Sequence, residues 1–505
     1  MRLWFPRAWG ELYAPASAFY EGDARAYLNY AAHLVKGIPF DNGIPFHPPG
    51  WPFVLSLFFR LEGFNPLAGV PADQAAIKAF VAVLSGLSVG LTTFVAGRFC
   101  GRGAMLAIPL LGIVNFAHVV QGSVPNADAL YGLLMVAAVL LAWRWTTDST
   151  SPLGPPRAGL EPGGAPAVQQ STGLAGILGL VSGFATLVRP EFAVCALLFG
   201  LAFVRIARRR WSELITYAFG FALTLTPTTV WHWQSISTFN ETRADRLPGR
   251  LPRFAPVTSY GAFNFANANH ERAPGGFNFD APALRPQTAN EEKQFDEGYL
   301  DLALPSVYNV YVHGYGIGLW WMIDHPGAAL ALVGRKAVIT SGVFAHGYLQ
   351  TNLGSSADGV RRPVDEADPS ARWLWPVHVG LVLWGAWLLA RRGGSEGQRL
   401  RWMIFSPLAS LAASSLLFYG YVRLGAAYLP VFWILQAIAI TAIAGRVPLP
   451  RFARARSGLL VLAFGIILLV AEAIGLTVRH AVVLEGATAP GGSLVQDATV
   501  VIKSR

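Results

Sequence analysis

The sequence predicts an all-α polytopic membrane protein, with about ten transmembrane helices, interfacial helices and an outer loop subdomain. Three observations predict it. Of 505 residues, 53% are hydrophobic and 13% charged, where a soluble protein carries roughly 25% charged residues. The apolar residues fall in runs of about twenty, the length that crosses a ~30 Å hydrocarbon core. Arginine clusters recur in the short connections between those runs, as the positive-inside rule requires of cytoplasmic loops. The net charge of +10 therefore reads as loops beside an anionic leaflet, with no nucleic-acid partner. Cys100 and Cys195 lie in or beside apolar runs, so no disulfide framework or cysteine metal cluster is expected. Nearly all the basic residues are arginine, which, with abundant Ala, Gly and Pro, fits a high-GC bacterial genome.

The first twenty residues lack the apolar h-region of a signal peptide and are too broken to span. Residues 1–75 read as an outer loop. Within it, the segment from Asp23 to Gly37 has helical spacing (Tyr27, Tyr30, Ala31, Leu34), and PGWPFVLSLFFRLEGF at 49–64 is apolar but too short to cross. A first transmembrane bundle is expected over 76–231, with crossings at 76–98, 103–121, 126–145, 172–188, 190–207 and 211–231. The Pro-, Gly- and Ser-rich stretch 146–171 interrupts it as a flexible linker. Residues 232–372 read as a large outer loop. Its segment 327–345 is expected to lie along the surface with Arg335 and Lys336 snorkelling toward headgroups. A second bundle over 373–476 holds crossings at 373–390, 402–420, 424–444 and 457–476, and 477–505 forms an outer tail.

Orientation follows from Arg98 and Arg102, Arg144 and Arg157, Arg205 to Arg210, Arg391 to Arg401, and Arg446 to Arg456, all placed in the cytoplasm. Several polar residues then converge on the outer face. Asp23 and Asp128 each stand at a predicted helix start, where a carboxylate is also favoured simply as a cap. Arg189, in the turn Arg189-Pro190-Glu191, sits on the wrong side for the positive-inside trend. That points to a bound anion, or to a plain salt bridge with Glu191. Arg423, near a helix start, opposes the macrodipole unless a phosphate or one of the aspartates lies close. Tyr428, His47 (in FHPPGWP) and Lys336 complete the candidate substrate-binding set. Asp23, Asp128 and His47 are the only candidates for a divalent cation, an open alternative. Trp51, Trp320 and Trp321 read as interfacial anchors, and His270, His313, His325 and His346 show no metal-ligand spacing. No GxGxxG, Walker or HExxH motif appears, which argues against a nucleotide cofactor. Two outward carboxylates with two outward arginines suit a phosphorylated lipid and a hydroxyl acceptor. The carboxylate deprotonates the acceptor and the arginines hold the leaving phosphate.

In order, the chain shows an acidic residue before YLNYAAHLVKGIPF, then PFHPPGWPFVLSLFFRLEGF, PNADAL, GLVSGFATLVRPE and YVRLGAAYLPVFWILQAIAI. This ordered set resembles the GT-C membrane glycosyltransferases, in the branch of protein O-mannosyltransferases and lipid A aminoarabinose transferases. The resemblance implies a GT-C-like fold and a polyprenyl-phosphate-linked sugar as donor. It implies a glycan, lipid or protein as acceptor, among membrane lipids of the inner membrane. It places the catalytic acid on Asp23 and a second on Asp128. Donor phosphate binding falls to Arg189 and Arg423, and some relatives hold a divalent cation near the carboxylates. Two departures stand out. The family begins with a transmembrane helix before this loop, and its catalytic acid is often followed by another where this chain has Ala24. A transporter or flippase of lipid-linked saccharides, and a catalytically dead truncated relative, remain the alternatives.

Overall fold

The computed structural model describes residues 23–37, 44–61, 71–122, 124–148, 167–207, 211–276, 302–345 and 374–446. All regular structure among them is helical. The N-terminal segment expected outside forms α1 (Asp23–Lys36) and α2 (Gly50–Leu61), which pack together. The expected face of α1 is the buried one: Ala24, Tyr27, Tyr30 and Ala31 point inward. The helix stops at Gly37, whose φ of 68° only glycine adopts without strain.

The first bundle follows as α3 (Pro71–Cys100), α4 (Arg102–Val114), α5 (Phe116–Gln121), α6 (Asp128–Asp148), α7 (Ala167–Val188), α8 (Phe192–Ala207) and α9 (Trp211–Thr242). Next come α10 (Gly261–Ala268), α11 (Pro305–Asp324), α12 (Pro326–Ser341), α13 (Leu374–Arg391), α14 (Gly394–Leu417), α15 (Val422–Ala427) and α16 (Leu429–Arg446). One apolar core runs through both bundles, with Trp51, Trp145, Tyr131, Tyr428 and Trp433 fully buried.

Five helical segments are long and apolar enough to cross a membrane: Ala76–Cys100, Asp128–Thr147, Trp211–Thr242, Pro326–Phe344 and Gly394–Leu417. Gly50–Leu61, Thr172–Val188, Phe192–Ile206 and Leu429–Gly445 are shorter apolar helices. The protein is thus a multi-pass membrane protein, without ten full-length crossings among the described residues; the expected run 457–476, the tail 477–505 and most of the linker 146–171 lie outside them. Two expected crossings are broken. The run 103–121 divides at Asn115, whose backbone leaves the helix at φ −61°, ψ 114° and whose Oδ1 accepts from the His118 amide of the next helix. The run 424–444 divides at Tyr428, where α15 ends and α16 restarts with Pro430 in its first turn, a position that spares proline its missing N–H.

The segment expected along the surface is also different. α11 and α12 meet at a corner at His325. Gly318 of α11 packs on Phe265 of α10, and Lys336 of α12 bonds Asn269, which caps α10, so α12 returns to the level that α11 leaves. Pro326–Phe344 is long and apolar enough to cross. Lys336 does not snorkel. It is fully buried, and its Nζ donates to Asn269 Oδ1 at 2.8 Å and to the Leu416 carbonyl at 3.3 Å.

α9 outruns the hydropathy signal, which ends near residue 231. Its last turns are polar but satisfied by the following loop: His232 Nδ1 lies 2.6 Å from the Ala255 carbonyl, and the Asn240 amide bonds both backbone groups of Leu251. A second apolar cluster of Ile236, Leu251, Phe263, Leu304, Val307 and Val310 gathers there. Part of the expected outer subdomain is therefore ordered. At the other end of the bundle, Trp145 stacks on Phe203 and Tyr217 and donates to the buried Glu213, and Phe99 packs on Trp143. The turns bearing Arg98, Arg144 and Arg205 thus share that end.

Candidate functional site

Four distant segments supply the site, and local structure explains each. Asp23 and Asp128 are the first residues of α1 and α6, where amide dipoles favour a carboxylate. Arg189 ends the α7 side of a tight turn in which the Phe192 amide bonds the Arg189 carbonyl at 3.1 Å. Arg423 is the second residue of α15.

Close packing brings the segments together. A side chain at Gly50 would lie 2.6 Å from the Val188 backbone nitrogen, so the absent Cβ lets FHPPGWP dock against the arginine turn. Trp51 is no interfacial anchor: its buried Nε1 donates to the Pro125 carbonyl at 2.7 Å, which fixes the turn ahead of Asp128.

The result is an alternating row of charges. Arg423 Nη2 lies 2.5 Å from Asp23 Oδ2 and its Nε lies 3.4 Å from Asp128 Oδ2. Arg189 bonds Asp128 through Nη2, and its Nη1 donates to Glu191 at 2.9 Å. The salt-bridge reading of Arg189 thus holds, and it extends beyond Glu191 to the second aspartate. The macrodipole cost of Arg423 is met by the aspartates, one of the two partners expected for it. Asp128 is fully buried, whereas the Asp23 side chain is 44% exposed. The row therefore runs from solvent into the core, with Asp23 at its open end.

The surroundings act on the charges in opposite directions. Packing around Asp23 pushes its carboxyl up, but Arg423 and then His47 pull it down, and the net lies below the ordinary aspartate value of 3.8. Burial works against the Arg189 cation, yet Asp128 and Glu191 outweigh it and raise its pKa well above normal. Burial, followed by the Asp23 charge, raises the Tyr27 and Tyr260 phenols, so both stay neutral donors.

His47 packs edge-on against Tyr27 at 5.6 Å and next to Phe46, which stacks on Tyr260 at 4.5 Å. Asp23, Asp128 and His47 do not form a metal-ligand set. Arginine nitrogens face Asp23 Oδ2 and both Asp128 oxygens, and among the described residues no three His, Cys, Asp or Glu side chains gather. His346 lies outside the described residues. Lys336 is not in the row; its partners are Asn269 and Leu416. Tyr428 is fully buried behind it, in contact with Tyr131 and Ser410. Ala24, which departs from the family pattern, is 1% exposed, so the position after Asp23 faces the core.

Sequence reasoning missed Tyr131 and Ser410, which lie inside apolar runs. For Tyr131 one signal existed: it stands three residues after Asp128, on the same helical face.

Fold and site together define a multi-pass helical membrane protein with an acid–arginine cluster assembled at one end of its bundle. The chain is similar to solved structures of an oligosaccharyltransferase from the archaeon Archaeoglobus fulgidus. Its apo form is 15% identical with a TM-score of 0.44, over 93% of this chain and 54% of that one. A complex of that enzyme, AglB, with an inhibitory peptide and a dolichol-phosphate is 14% identical with a TM-score of 0.41, over 91% and 52%. A complex with Zn and sulfate is 14% identical with a TM-score of 0.41, over 94% and 53%. The chain spans about half the length of these archaeal chains. No family model and no curated protein matches it.

Proposed function

We propose that this chain is a membrane glycosyltransferase of the GT-C kind, moving a sugar from a polyprenyl-phosphate donor to an acceptor hydroxyl. One observation carries the reading: carboxylates and arginines from four distant segments meet in one row, with the half-exposed Asp23 at its open end. Asp23, ionised at neutral pH, takes the proton of the acceptor hydroxyl. That oxygen then bonds the anomeric carbon while the bond from this carbon to the phosphate oxygen breaks. Arg423 and Arg189 hold the departing polyprenyl phosphate, whose negative charge grows as the bond breaks. Asp128, buried between the arginines, keeps both aimed. No step runs through a metal, because the carboxylates face arginine nitrogens.

The basic turns lie at the end opposite the cluster, so the positive-inside rule puts the cluster on the outer face of a bacterial inner membrane. The acceptor is a glycan, lipid or protein of that compartment.

The test is release of free polyprenyl phosphate from labelled polyprenyl-phosphate sugars by reconstituted protein, wild type beside Asp23→Asn. Aspartate-dependent release supports the reading. Undiminished release by Asp23→Asn removes its central residue, and failure of every donor to bind or turn over would favour transport instead.

A further inference from the structure

Behind the charged row runs a buried chain of hydroxyls. Ser410 Oγ on α14 lies 2.6 Å from the Glu191 carbonyl and 3.0 Å from the Tyr428 hydroxyl, which lies 2.6 Å from that of Tyr131 on α6. All three side chains are fully buried. Only one direction of donation satisfies them. A carbonyl only accepts, so Ser410 spends its single proton on Glu191. Ser410 then accepts from Tyr428, and Tyr428 accepts from Tyr131.

The chain touches the carriers of both arginines. Its Ser410 end grips the Arg189 turn through Glu191. Tyr428 caps α15, the short helix bearing Arg423. The Tyr131 ring lies 5.7 Å from the Arg189 guanidinium carbon, within cation–π range. The three hydroxyls face one another and the Glu191 backbone, so they serve geometry.

We infer that Tyr131, Tyr428 and Ser410 are positioning residues that set the spacing between Arg189 and Arg423, and so the fit of the anion those arginines hold. The anion's identity as a lipid phosphate rests on the proposed function; the spacing role does not. Removing one hydroxyl in a water-excluded site leaves its neighbours unsatisfied, which loosens both turns together.

The test uses the full chain in nanodiscs, with polyprenyl phosphate as probe and Tyr428→Phe and Ser410→Ala as variants. Tyr428→Phe keeps the ring and its packing, so loss of fold is not expected. Two quantities are read: amide hydrogen exchange over 189–194 and the half-saturating probe concentration. Both variants should speed exchange in that turn and weaken binding roughly fivefold to tenfold, as loss of a buried hydrogen bond implies. On an Arg189→Lys background, Tyr428→Phe should weaken binding by less than it does in the wild type, because both changes disturb the same arginine spacing. Unchanged exchange over 189–194, or fully additive weakening, overturns the inference. Faster exchange in a protein that binds no polyprenyl phosphate leaves the spacing role standing and removes the lipid-phosphate reading. Wild-type exchange with intact probe binding does the reverse.

Discussion

Cations at one end of this molecule are answered in two different ways. Arg189 and Arg423 face carboxylates: Asp128 lies between them, with Glu191 and Asp23 at the flanks. Lys336 is more deeply buried than either, yet its partners are the neutral Asn269 Oδ1 and the Leu416 carbonyl. Leu416 is in the last turn of α14, where carbonyls lack helical partners and a cation is favoured. Asn269 Nδ2 donates to the next carbonyl, that of Leu417, at 2.7 Å. Lysine and asparagine thus close the end of α14, and the chain turns from there into Tyr421 and Arg423. The arginines meet charge with charge; the lysine holds the loop that carries Arg423. Burial of a cation alone does not mark a binding site; the charge of what answers it does.

The largest break of this contrast is expected at Asp23. Asp23→Asn should lower sugar transfer by about 10²–10⁴-fold, the usual share of a general base, with polyprenyl-phosphate binding retained in a direct binding assay. Arg189→Ala strips the fully buried Asp128 of one partner. Thermal or denaturant unfolding should show a loss of about 3–5 kcal/mol, the cost of a broken buried pair, together with weakened donor binding. Lys336→Met leaves Asn269 and Leu416 short of a donor. A stability loss of about 1–3 kcal/mol is expected, falling on the unfolding midpoint more than on the apparent donor constant. An equal loss in donor affinity would move Lys336 into the binding group.

The smallest effect is one of pH. The Asp23 carboxyl is held below 3.8 in the folded protein, so its ion pair contributes fully above that pH and is lost only as pH falls through the lower folded value. Transfer should therefore show no acid limb from Asp23 between pH 5 and pH 8, the range in which proteins are commonly most stable. Arg423→Gln removes the main downward influence and leaves the upward push of burial. The acid limb in its pH–rate profile should move to higher pH. An unmoved limb would show that Arg423 does not govern this carboxyl.

Much of the site was legible because charge in an apolar chain is conspicuous. Arg189 and Arg423 each broke a local trend of loop charge or helix dipole, Asp23 and Asp128 stood at helix starts expected on the same face, and the structure gathers all four. The hydroxyls of Tyr131 and Ser410 broke no trend, since both are ordinary in a membrane helix; only their cross-chain partners reveal them. Hydropathy also located most helices but passed over breaks with no polar cost in sequence. Asn115 and Tyr428 end helices by satisfying the chain locally, without a loop. Lys336 misled for the opposite reason: its partner at Asn269 lies 67 residues away.

α9 is fastened to the body mainly along one glycine seam. Added side chains at Gly179 or Gly220 would come within 2.2 Å and 2.6 Å of backbone oxygens of the facing helix. About 18 Å further along α9, at the helical rise of ~1.5 Å per residue, His232 grips Ala255. The same loop holds Pro45 and Phe46 through Ser259 and Thr258, beside His47. The seam is the fulcrum of a lever whose far arm ends beside His47, on the Asp23 side of the charged row. A methyl group at Gly220, with no charge and no contact with substrate, would tilt the helix that props up the mouth of the site. The protein is therefore vulnerable at its smallest residues, far along the helix from the charged row.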